Sequence, residues 1–106
     1  PVLPVSLVAS VLARDPSRAL SELELKAAAH EHMQQLEAAG GHLYIPRQDQ
    51  GYAFEVGLRM LVMRRIVVEE EGLFRPASTE IEALNYYANA IAHLAGAPAT
   101  GELLRS

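Results

Sequence analysis

Four runs of apolar residues at helical spacing, each closed by a break in the pattern, confine this chain to a set of short packed helices. In the first run Pro4 takes a natural first-turn position, and Val5, Val8, Val11 and Leu12 follow until Asp15-Pro16 stops it. This predicts a short buried helix over about residues 4–14. In the second, Ser21 stands three residues before Glu24, the reciprocal capping pair of a helix start. Leu25, Ala28 or Ala29, Met33 and Leu36 then mark an apolar side, and Gly40-Gly41 ends a helix over about 21–39. Residues 42–45 could form a short strand and 46–51 a polar loop. Phe54, Leu58, Leu61 and Val62 define a third helix over about 52–65. The β-branched Ile66-Val67-Val68, the turn residues Glu71-Gly72 and Leu73-Phe74-Arg75 read as a small hairpin. Thr79 and Glu82 repeat the capping pair before Ile81, Leu84, Ala88, Ile91 and Ala95, a last helix over about 79–95 capped by Gly96. The expected fold is mainly α, a small helical domain over 1–96 with one short β-hairpin, winged-helix-like in element order, followed by a flexible tail over 97–106.

The 106 residues provide for one core. Half are apolar, but 17 are alanine, which favours helix over sheet. With no cysteine there is no disulfide framework, thiolate metal cage or cysteine nucleophile. A net charge of −4 argues against a nucleic-acid partner, since tracking phosphates takes an excess of Lys and Arg. The uncharged stretch over 1–13 is shorter than the ~20 residues that span a bilayer, though its Val5, Val8 and Val11 could attach to a membrane surface. The opening Pro-Val-Leu-Pro, without an initiator methionine, reads as part of a longer protein.

Few residues suggest catalysis. His30 and His32 are two apart, some 200° around a helix, and so cannot hold one ion together. Ser6, Ser10, Ser17, Ser21, Ser78 and Thr79 fall in apolar helices, turns or caps rather than beside a base and an orienting carboxylate. Glu69-Glu70-Glu71 suits a solvated hairpin tip, with Arg59, Arg64 and Arg65 close enough in sequence to pair with it. No catalytic residue, cofactor or metal site is therefore assigned. The most specific pattern is Asn85, Asn89 and His93, a polar ladder at i, i+4 and i+8, with Tyr86 and Tyr87 beside it. Carboxamides and an imidazole offer directional hydrogen bonds without fixed charge, as a face docked on another domain requires. Asn85, Tyr86, Asn89 and His93 are the candidate docking residues; a face that meets only water is the alternative.

Asn85-Tyr86-Tyr87-Ala88-Asn89-Ala90-Ile91-Ala92-His93-Leu94, preceded by Glu70, Glu71, Gly72, Phe74 and Arg75, resembles the extreme C-terminal region of bacterial glycerol-3-phosphate acyltransferases. Val8-Ala9-Ser10-Val11-Leu12 and Arg18-Ala19-Leu20-Ser21 are also similar, so the resemblance covers most of residues 5–95. It implies a parent enzyme that moves an acyl chain from acyl-CoA or acyl carrier protein to the 1-hydroxyl of glycerol 3-phosphate. The implied setting is the cytoplasmic face of a membrane, at the start of phospholipid synthesis. The family's catalytic signature is a histidine followed five positions later by aspartate. The corresponding residues here are Gln35 after His30, Glu37 after His32, Arg47 after His42 and Pro98 after His93. The resemblance therefore implies a non-catalytic, itself soluble accessory domain that packs on or regulates the acyltransferase domain of the same chain, which makes the membrane contact. The alternative is a winged-helix interaction or DNA-binding module, whose mark would be a basic surface on the third helix.

Overall fold

A computed structural model describes residues 4–40 and 47–94, with the backbone alone for Arg47 and residues 91–94. The helices are α1 (Pro4–Ala13), α2 (Glu22–Ala38), α3 (Gln50–Met63) and α4 (Ile81–Leu94). The strands are β1 (Leu20–Ser21), β2 (Val67–Glu70) and β3 (Leu73–Pro76), and two 3-10 turns cover Arg47–Asp49 and Ser78–Glu80. The possible strand over 42–45 and the tail over 97–106 lie outside the described residues. The domain is mainly α, as its periodicity predicts.

The core is arranged around α1. Val8 and Ala9 are fully buried, and Val5, Ser6, Leu7, Val11 and Leu12 are buried beside them, so this helix is apolar nearly all round. It packs on α4, α3 and α2. The valines that could have met a membrane are thus enclosed by protein, which removes surface attachment through α1 in this fold. No helix among the described residues is long and apolar enough to cross a membrane.

The closest approach in this core is at Gly57 of α3. A Cβ there would lie 2.8 Å from the carbonyl carbon of Pro4 and 2.9 Å from both its oxygen and the Val5 nitrogen. The start of α1 therefore rests directly on the α3 backbone.

The sheet is larger than the expected hairpin. β2 and β3 pair antiparallel, and their two-residue connection has Glu71 at φ 51° and Gly72 at φ 80°, the double left-handed geometry of a type I′ turn. β1 adds to the other side of β3, Leu20 opposite Phe74 and Ser21 opposite Leu73, so the strand order is β1-β3-β2. Two residues are too short a strand to show any alternation in sequence. Ser21 ends this strand and caps α2: its hydroxyl accepts from the Glu24 amide at 3.1 Å, and Glu24 Oε1 accepts from the Ser21 amide at 2.8 Å. The same hydrogen bond from the Ser21 backbone holds the Glu24 carboxyl below its usual pKa. The helix order, with β1 between α1 and α2 and the β2–β3 wing after α3, is the winged-helix arrangement.

Two helix ends differ from expectation. α3 stops at Met63 because Arg65 turns left-handed at φ 63°, its amide bonding to Val62 and that of Ile66 to Leu61, the paired bonds of a Schellman cap. The Thr79–Glu82 cap does not form. The Ala77 amide is still tied to Ile66 at 2.8 Å, continuing the wing, and the chain enters α4 through the 3-10 turn, so Thr79 stands inside that turn rather than at its cap.

Candidate functional site

The candidate docking residues lie on α4. Leu84 is fully buried, while Asn85, Tyr86 and Asn89 are exposed, so the helix turns carboxamides and a phenol away from the core. The side chain of His93 falls outside the described residues. Tyr86 is 76% exposed, a large amphipathic side chain left in water. Its ring meets that of Tyr87 edge-on, with centroids 5.8 Å apart at 80°. Tyr87 is held in turn by Arg64, the C-cap of α3, which donates to its hydroxyl and lies 5.9 Å from the ring centroid. Tyr86 is thus supported from behind by a link that joins α3 to α4.

Arg64 is therefore not paired with the wing acids, and the other expected ion pairs around α3 are also absent among the described residues. Glu70 pairs instead with Arg75 across the wing at 2.6 Å, the two residues lying on adjacent antiparallel strands. Glu55 binds Lys26 of α2 at 3.1 Å, which raises the lysine pKa, and Lys26 also reaches Glu22 at 3.5 Å. Arg59 and Arg65 have no ion-pair partner among the described residues. The outward side of α3 is not the basic surface a nucleic-acid module needs: Tyr52 and Met63 are 74% and 77% exposed there, and Val56 also faces out. This stripe is not among the candidate residues of α4, although the spacing of Tyr52, Val56 and Met63 beside the buried Phe54, Leu58 and Leu61 carries its signal.

A second polar cluster links α1 and α2. His32 is half-buried, with Nε2 3.2 Å from Ser10 Oγ and Nδ1 bonded to the Arg14 guanidinium. Because arginine can only donate, Nδ1 is the unprotonated acceptor and Nε2 carries the hydrogen toward Ser10. That is the wrong tautomer to take a proton from Ser10, so the serine and histidine form a structural tie rather than a nucleophile and base. His30 is exposed and separate from this cluster. Among the described residues no three His, Cys, Asp or Glu side chains gather in a way that could hold a metal ion.

Burial, and then the charge of Arg14, lower the pKa of His32 below 6.5. The unfolded chain consequently takes up a proton at higher pH than the folded one. The folded state is favoured fully above 6.5 and loses that advantage as pH falls through the lowered value. Thermal melts between about pH 7 and 5 should show Tm falling with acidification, and the slope should flatten in His32→Gln, which cannot titrate. An unchanged slope in the variant would assign the loss to other groups.

Together these elements make a mainly α domain, winged-helix-like in element order, with exposed aromatic side chains on α3 and α4. A family model, glycerol-3-phosphate acyltransferase C-terminal region, matches residues 1–104, and the chain belongs to that family. No curated protein and no solved structure matches the chain.

Proposed function

We propose that residues 1–96 form a non-catalytic accessory domain that docks through α4 on the acyltransferase domain of its parent enzyme, positioning or regulating it. Asn85, Tyr86, Asn89 and His93 supply the docking face. The parent transfers an acyl chain from acyl-CoA or acyl carrier protein to glycerol 3-phosphate at the cytoplasmic face of a membrane, in phospholipid synthesis. The observation that carries this reading is Tyr86, exposed yet braced through Tyr87 and Arg64. A pre-positioned tyrosine loses little freedom when a partner covers it, which is why tyrosines dominate binding energy at many interfaces.

The test is Tyr86→Ser with Asn89→Asp, in the full-length parent and in this chain. Both sites are exposed, so the melting of the isolated chain should hold within about 0.5 kcal/mol. Acyl transfer by the parent should fall several-fold, because the exposed ring is removed and a second carboxylate joins Glu82 on this side of α4. Full activity would show that this face meets only water.

A further inference from the structure

The outward side of α3 is a second exposed apolar surface, which meets the support of the Tyr86 face at Arg64. Tyr52, Val56, Met60 and Met63 follow one another at helical spacing along it and line a groove of about 630 Å³ with Glu55, Arg59 and Arg64. Such a volume lies within the usual range of ligand clefts. A run from Tyr52 to Met63 extends about 16 Å, three turns of helix. Two of its lining residues are methionines, whose unbranched side chains adapt to the shape of an apolar partner.

The charges along the groove decide what fits it. Glu55 is bonded to Lys26, which it shares with Glu22, and the Arg64 guanidinium is turned to the Tyr87 hydroxyl. Arg59 has no ion-pair partner among the described residues, and it stands between Val56 and Met63. An occupant must therefore cover apolar side chains and bring a carboxylate to Arg59. Duplex DNA suits neither demand, since its phosphates would meet an apolar stripe at α3 and the exposed Glu69, Glu70 and Glu71 on the wing. We propose that α3 receives an acidic amphipathic helix, one whose aliphatic side lies along Tyr52, Val56 and Met63 and whose flanking carboxylate pairs with Arg59. An inserted helix carries its apolar anchors at i, i+3, i+4 and i+7, and Val56, Met60 and Met63 repeat at matching intervals along α3.

Binding is measured on this chain with a fluorescent helical peptide of about 14 residues, leucine at every third and fourth position and glutamate beside them. A second peptide carries lysine in place of every glutamate. The glutamate peptide should bind, and the lysine peptide at least about tenfold more weakly. Arg59→Glu should reverse that preference, a gain that an unfolded variant could not show. Met63→Ser should weaken the glutamate peptide several-fold. No binding of the glutamate peptide, equal binding of both, indifference to either substitution, or displacement of the peptide by duplex DNA would each overturn the proposal. Self-association of the chain through α3 would overturn it as well, by naming a second copy as the occupant. Tyr86 and Asn89 are not altered in these experiments, so the α3 surface stands or falls independently of docking through α4.

Discussion

Gly57→Val is expected to be the most damaging single substitution on α3. In an exposed helix, replacing glycine by alanine stabilises by about 1 kcal/mol, because alanine leaves less backbone freedom to lose. At Gly57 a Cβ meets the Pro4 carbonyl at 2.8 Å and the Val5 nitrogen at 2.9 Å, and these are backbone atoms that cannot swing away. Relief requires moving the start of α1, the helix on which the core is assembled. Overpacking of this kind costs about 1–3 kcal/mol, and valine, which adds two methyl groups and lacks alanine's helical advantage, should reach the upper end. At about 4–8 °C per kcal/mol, Tm should fall by more than about 10 °C. The informative comparison is Gly57→Ala. Its propensity gain opposes a smaller clash, and a lowered Tm shows that the contact outweighs the propensity. If Gly57→Ala melts higher than the parent sequence, α1 does not approach α3 this closely.

Much of this architecture is legible in the chain, and the failures have identifiable causes. Phe54, Leu58 and Leu61, or Leu25, Met33 and Leu36, are buried as their spacing predicts because each belongs to a helix with one apolar side. The Ser21–Glu24 cap is equally local, two side chains serving amides within a single turn. β1 was not legible because two residues pair with Leu73 and Phe74 more than fifty positions away, and nothing local distinguishes them. Thr79 and Glu82 fit the capping pattern, but the long-range hydrogen bond from Ala77 to Ile66 moves the start of the turn. The α4 residues Asn85, Tyr86 and Asn89 could be chosen from spacing alone. Their support could not, since the Arg64–Tyr87 link joins two helices. Sequence proximity suggested that Arg64 would meet the wing acids, whereas Glu70 lies across a strand pair from Arg75 and is satisfied there.

The winged-helix arrangement assigns its groove-reading role to α3, but the fold does not dictate what is read. Here the helix at that position carries Tyr52, Val56 and Met63 outward, and the wing carries three consecutive glutamates. Both features oppose phosphate and favour polypeptide. The scaffold's geometry, a helix presented beside a hairpin, is thus compatible with a domain whose family tie is to an acyltransferase.

Leu84→Ala should have an effect at least as large as that of Gly57→Val, and a more local one. Leu84 is the fully buried side chain among the described residues of α4, and the half-buried Ala83, Tyr87 and Ala88 pack against the same core. Removing a buried leucine side chain loses its transfer free energy and leaves a cavity, together about 2–5 kcal/mol. That is a large fraction of the about 5–15 kcal/mol that holds a typical domain folded. The loss falls on the contact between α4 and α1, so hydrogen-exchange protection should drop first in α4 amides and only later in α2. In the parent enzyme the same substitution releases the helix that presents Tyr86 and Asn89, so acyl transfer should fall together with stability. Tyr86→Ser with Asn89→Asp should lower transfer while stability holds, and the two variants together separate a face that must be intact from a helix that must be seated. Uniform loss of protection across α1, α2 and α4 in Leu84→Ala would mean that α4 unfolds only with the whole domain.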